Sequence, residues 1–103
     1  MNGKTVRFMI DTGASAVVLT REDAERVGLR VREQDFSQAA GTANGTVRWA
    51  PVVLRDLRAG GLTLHSLAAV VNGGRLDVSL LGMDFLRRLK GYEVRNGRLI
   101  LYW

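Results

Sequence analysis

Apolar residues in this chain alternate in short runs, and that pattern constrains the fold more than any other feature. Val6, Phe8 and Ile10 share one parity, with Thr5, Arg7 and Met9 on the other, which predicts a strand with one buried face. Ala16-Val17-Val18-Leu19 reads as a short, nearly all-apolar strand. Thr46 to Leu54 reads as a long one, interrupted by Pro51, the chain's single proline. Proline cannot donate to a ladder, so its position implies an edge or a bulge. Leu62-Thr63-Leu64 and Leu67 to Val71 form a strand pair or one bent strand, and Val78 to Gly82 is a buried run. Tyr92-Glu93-Val94 and Leu99 to Tyr102 flank Asn96-Gly97, a strong short hairpin signal.

Helices have little room. Thr20 can cap a short one, with Glu22 and Asp23 in the first turn where the dipole favours acidic groups, and Gly28 is placed to end it. Met83 to Lys90 predicts a second helix with Phe85, Leu86 and Leu89 inward. Many short strands with one or two short helices argue for a mostly-β barrel or folded sheet. The 103 residues are read as one domain, 1–103, enough to bury about two thirds of the unfolded surface around a single core. No apolar run approaches the ~20 residues of a membrane span, and Met1-Asn2-Gly3-Lys4 has no signal-peptide pattern. With no cysteine, disulfide and thiolate chemistry are excluded and the redox compartment is not legible.

A net charge of +5 raises the question of nucleic acid or an anionic membrane. The arginines, however, are scattered from Arg7 to Arg98, with Arg87-Arg88 the only adjacent pair, and seven aromatics offer little for base stacking. The reading is a solvated, arginine-rich surface.

Chemistry enters where the first strand ends. Phe8-Met9-Ile10 runs into Asp11-Thr12-Gly13-Ala14-Ser15, so a buried strand delivers a carboxylate into a turn of a hydroxyl and a glycine. Asp-Thr-Gly alone is also ordinary turn chemistry. Other candidates are weaker. Asp84 follows Gly82-Met83 at a helix start, where an acidic group favours the dipole. His65, the only histidine, has no partner at metal-ligand spacing and is read as a loop or surface residue. Trp49 is either core or a pocket wall.

Asp11-Thr12-Gly13-Ala14-Ser15 together with Leu80-Leu81-Gly82-Met83-Asp84-Phe85-Leu86 resembles the retropepsin-like aspartic proteases, in particular their bacterial single-domain branch. Thr42-Ala43-Asn44-Gly45-Thr46-Val47 sits where such proteins place the flap hairpin. The order of these blocks matches the family over nearly the whole chain.

The resemblance implies a small closed β-barrel with a flap hairpin, one or two short helices, and an aspartic endopeptidase. Because this chemistry uses two carboxylates and the chain has one Asp-Thr-Gly, it implies a homodimer with one Asp11 from each copy. Thr12 would hydrogen-bond across the dimer axis, Gly13 would let the backbone approach the carboxylates, and Ala14 and Ser15 would complete the turn. Leu80-Leu81-Gly82 would pass beneath that loop, with Gly82 permitting close contact. Gly41, Thr42, Ala43, Asn44 and Gly45 would form a flap closing on an extended peptide bound as an added strand. Retroviral members place a further strand before the catalytic one, and only ten residues precede Asp11; the strand from Arg98 to Trp103 remains available for the interface. No metal or cofactor is implied, and the expected partners are a polypeptide substrate and a second copy, without nucleic acid or membrane contact from this chain. Similar bacterial proteins often carry a membrane anchor ahead of the protease domain, facing the periplasm; that location rests on the resemblance alone. The competing readings are a catalytically silent peptide-binding or dimerisation module of the same fold and a basic nucleic-acid-binding barrel. An aspartyl phosphotransfer site would want a second Asp where Gly13 stands.

Overall fold

The computed structural model describes residues 4–42, 45–59, 61–96 and 98–102. Among these residues eight strands form two sheets. In chain order they are β1 (Phe8–Ile10), β2 (Val18–Leu19), β3 (Gln38–Thr42), β4 (Gly45–Ala59), β5 (Leu62–Asn72), β6 (Ser79–Leu81), β7 (Gly91–Arg95) and β8 (Arg98–Tyr102). Helix α1 (Arg21–Arg26) follows β2, a short 3-10 turn (Glu33–Asp35) precedes β3, and α2 (Met83–Leu86) follows β6. The main sheet has the order β1-β6-β2-β5-β4-β3, and β7-β8 is a separate hairpin.

Local sequence accounts for most of these boundaries. Val6, Phe8 and Ile10 pack against the core while Met9 is half exposed, as the alternation predicts. The Thr20 hydroxyl caps α1 by accepting from the Asp23 amide at 3.0 Å, and Gly28 beyond its end takes φ +86°. Pro51 stands just past Trp49, where the β3–β4 ladder stops, so β4 has a ladder on one side only at that point. Asn96 takes φ +52° at the β7–β8 turn; Gly97 and Trp103 lie outside the described residues, as do Ala43 and Asn44 at the tip of the β3–β4 hairpin.

The two long strands β4 and β5 change faces together. Ala50 and Leu54 are buried in the first part of β4, and Leu57 in the second, an odd-numbered step. Opposite them, Leu67, Ala69 and Val71 are buried in β5 but so is Leu62. A strand has a side-chain period of two, so both strands must switch parity between these positions. The switch lies at Ser66, whose φ of +53° breaks the extended backbone. Leu62–Leu64 and Leu67–Val71 are therefore one bent strand.

Two expectations are corrected. Among the described residues the sheet does not close into a barrel: β1 and β3 remain at opposite ends of the order. β3 pairs only with the arm of β4 before the bend, while β1 lies against β6 at the other end of the order. The helix expected over Met83 to Lys90 is also shorter, although Phe85, Leu86 and Leu89 are buried as expected. After the Arg87 amide bonds to Met83, those of Arg88 and Leu89 bond only three residues back, to Phe85 and Leu86, which winds the chain into tighter turns.

Candidate active site

The Asp11 loop is built from three directions. From below, β1 pairs in parallel with β6 (Phe8 with Ser79, Met9 with Leu80, Ile10 with Leu81), and the Asp11 amide extends the ladder by donating to the Leu81 carbonyl at 3.0 Å. Within the loop, the Ala14 amide donates to the Asp11 carbonyl at 3.2 Å, closing a tight turn. The Gly13 amide donates to Asp11 Oδ1 at 2.9 Å, so the turn orients the carboxylate. A β-carbon at Gly13 would stand 3.2 Å from that same oxygen. From the far side, the Met83 amide donates to the Ala14 carbonyl at 2.8 Å and the Asp84 amide to the Ser15 carbonyl at 2.6 Å.

Gly82 makes this seam possible. A β-carbon there would overlap the Ala16 carbonyl oxygen and stand 2.6 Å from that of Ala14. Leu80 and Leu81 end β6 against the Asp11 strand, and Leu81 and Gly82 are buried. Asp11 is half-buried, and Thr12, Gly13 and Ser15 are exposed along the loop. Asp84 sits in the first turn of α2, 3.7 Å from Arg87 of the same turn, as its dipole reading requires.

Beside the loop lies an open cavity of about 360 Å³ whose walls include Ala14, Ser15, Ala16, Val18, Trp49 and Val70. Trp49, half-buried, is thus a pocket wall. It belongs to β4, which with β3 forms a hairpin paired from Gln38–Trp49 out to Thr42–Gly45. Gly41 and Gly45 are exposed on this hairpin. His65 is exposed on β5 opposite Asp56. Among the described residues no cluster of His, Cys, Asp and Glu could hold a metal ion, and no helix is long and apolar enough to cross a membrane.

Three supporting residues escaped the reading of the sequence. Ser79, fully buried, receives the Thr20 amide at 3.1 Å and donates to Asp23 Oδ2 at 2.5 Å, tying β6 to the start of α1. Its signal was a lone hydroxyl within the apolar run Val78 to Leu81. Arg21 donates to Glu33 at 2.7 Å and to the Gly73 carbonyl at 3.2 Å, and its guanidinium lies 4.2 Å from the centre of the Phe36 ring. Gly73 is wedged so closely that a β-carbon would come within 2.6 Å of the Arg48 carbonyl oxygen and 2.9 Å of Phe36. A cation at a helix start, where the dipole opposes it, was the available signal for Arg21.

Comparison with known proteins agrees with this architecture. Residues 1–88 match the family described as "gag-polyprotein putative aspartyl protease". A Sinorhizobium protein from the cobV 5′ region is 41% identical over 102 residues, covering 98% of this chain and 44% of that protein. The chain thus spans less than half the length of this relative and of a similar Rickettsia prowazekii protein, RP867. The crystal structure of a retropepsin-like aspartic protease from Rickettsia conorii superposes with a TM-score of 0.83 at 36% identity, over 97% of this chain and 82% of that one. EIAV protease in complex with the inhibitor HBY-793 shares the fold, with a TM-score of 0.70 at 24% identity over 91% of this chain and 86% of that one. With its Asp-Thr-Gly turn seated on the Leu-Leu-Gly strand end, the chain belongs to the retropepsin-like aspartic proteases.

Proposed function

We propose that this chain is one protomer of a homodimeric aspartic endopeptidase in which Asp11 of each copy supplies half of the catalytic pair. The observation that carries the reading is the Asp11 loop. One carboxylate is held by the amide two residues on, at the end of a strand, with the next turn stitched to α2 from the other side. Such a rigid, half-open carboxylate suits a reacting group better than a turn residue. It is also incomplete, because a single carboxylate cannot act as both base and acid.

Two Asp11 carboxylates meeting at a two-fold axis cannot both ionise cheaply, because like charges a few ångströms apart repel. They therefore share a single proton, the aspartic-protease dyad being the standard case. The ionised partner takes a proton from a bound water as that water attacks the scissile carbonyl carbon. The protonated partner gives its proton to the carbonyl oxygen as the tetrahedral species forms. Thr12, exposed beside Asp11, is assigned to the contact between the two loops. The β3–β4 hairpin is assigned to the flap, and the cavity walled by Trp49 and Ala14 to Ala16 to a substrate side chain of apolar character.

The test is cleavage of a diverse peptide mixture by the wild type and Asp11→Asn, from about pH 3 to about pH 7 and over a range of protein concentrations. The expected result is a loss of at least ~10³-fold in Asp11→Asn, and wild-type activity that rises faster than linearly with concentration. Equal silence of both proteins, under conditions where sedimentation finds a dimer, would replace this reading with peptide binding by the same fold.

A further inference from the structure

We infer that Arg21 is a positioning residue that clamps the root of the β3–β4 hairpin and thereby sets how the hairpin lies over the Asp11 loop. The inference rests on the proposal that this hairpin closes on the substrate.

Among the described residues the hairpin joins the rest of the sheet by strand pairing only at its root. Its ladder with β3 begins at Gln38–Trp49, and the ladder of β4 with β5 begins at the same Trp49, opposite Asn72. Outward of Trp49 the two arms pair only with each other among the described residues. A rise of ~3.4 Å per residue makes such an arm roughly 15 Å long, so a small rotation at the root becomes a displacement of several ångströms at the tip.

Arg21 reaches both sides of that root from α1. On the β3 side it binds Glu33 at 2.7 Å and lies over the buried ring of Phe36, two residues before the strand starts. On the β4 side its Nε donates to the Gly73 carbonyl, and the Gly73 amide donates at 2.8 Å to the carbonyl of Arg48, the neighbour of Trp49. Phe36 and Gly73 touch, so the two sides form one packed unit with the guanidinium across it. A planar, forked cation can stack on a ring while bonding a carboxylate and a carbonyl together; a lysine ammonium cannot. Placing a cation at the first residue of a helix is unfavourable to the dipole, and the clamp supplies a reason for it. Trp49, at the far end of this chain of contacts, also walls the cavity beside Ala14 and Ser15. Displacement of the root therefore reaches the active-site groove directly.

The experiment compares Arg21→Ala and Arg21→Lys with the wild type, and for emission alone each is carried in a Trp103→Phe background, which leaves Trp49 as the single tryptophan. Three readouts are taken: hydrogen exchange of the Gln38–Thr42 and Thr46–Arg48 amides, Trp49 emission, and KM against kcat on a cleaved peptide. Exchange of the hairpin amides is expected to rise ~10-fold in Arg21→Ala while the β5 core amides Leu67 to Val71 stay slow. Trp49 emission shifts to the red, and KM rises ~5–20-fold with kcat within about twofold. Arg21→Lys, which keeps the charge but not the fork, is expected to fall between the two, and it carries the test should Arg21→Ala not fold. Unchanged hairpin exchange and unchanged Trp49 emission would overturn the inference, as would a uniform rise that includes the β5 core, since either marks Arg21 as a general stabiliser. Should the dimeric wild type cleave nothing, the protease proposal fails by itself, and exchange and emission still decide the clamp.

Discussion

Gly82 lies so close to Ala14 that a β-carbon on it would stand 2.6 Å from the Ala14 carbonyl oxygen and 2.9 Å from its carbonyl carbon. These are backbone atoms of a loop already held by the Met83 and Asp84 amides. No side-chain rotation relieves the contact. Gly82→Ala is therefore expected to lower stability by about 2–4 kcal/mol and to abolish cleavage. Gly41→Ala, with nothing within 4 Å of its β-carbon, is the control, expected to stay within ~0.5 kcal/mol. Urea unfolding of both variants checks the pair, and equal stabilities would show that the seam can open.

Ser79 is the second place where one buried group holds the frame. Replacing it with alanine removes the acceptor of the buried Thr20 amide and the donor to Asp23. Such loss is expected to cost about 1–3 kcal/mol. Ser79→Thr keeps the hydroxyl but adds a methyl to a site with no exposure, so it should recover only part of that. Denaturant midpoints at constant slope check both.

The Glu33 carboxyl titrates below its ordinary 4.5, first because Arg21 donates it a hydrogen bond and second because of the attraction between the charges. A depressed carboxylate favours the folded state above its ordinary value and loses that contribution as pH falls through the lowered one. The tie to Arg21 should thus persist at neutral pH and fade only in acid below 4.5. Glu33 is largely exposed and Arg21 nearly half exposed, so the effect on global stability is small. NMR titration of the Glu33 side chain is expected to show the low midpoint in the wild type and its return toward 4.5 in Arg21→Ala.

Tyr102 on β8 is shifted the other way, above its ordinary 10.0. Its hydroxyl donates to Glu93 Oε1 at 2.6 Å, a bond that ionisation would destroy; desolvation and then the nearby negative charge add to the shift. A raised phenol favours the folded state below its ordinary value and loses that contribution as pH climbs through the raised one. The chain has two tyrosines, so Tyr92→Phe isolates the signal. Phenolate absorbance should then titrate above 10.0, and Glu93→Ala should bring it down.

What the sequence by itself determined is local. The Thr20 cap, the Gly28 stop, the Asn96 turn, the one-sided face of β1 and the Asp-Thr-Gly turn each depend on residues within a few positions of one another. Propensity and hydrogen bonding decide such features at short range. The order of three motifs was enough for the family, because each is short and their sequence along the chain is specific. Only the tertiary structure decided how distant segments meet. Ser79 reaches a helix cap 59 residues away, and Arg21 reaches a carbonyl 52 residues away. The open sheet in place of a closed barrel, and the face switch at Ser66, likewise follow from strand pairing and bending that alternation alone does not encode. Side-chain periodicity says which residues face inward along one strand. It carries no information about which strand will lie beside it, and packing of the whole core settles that choice.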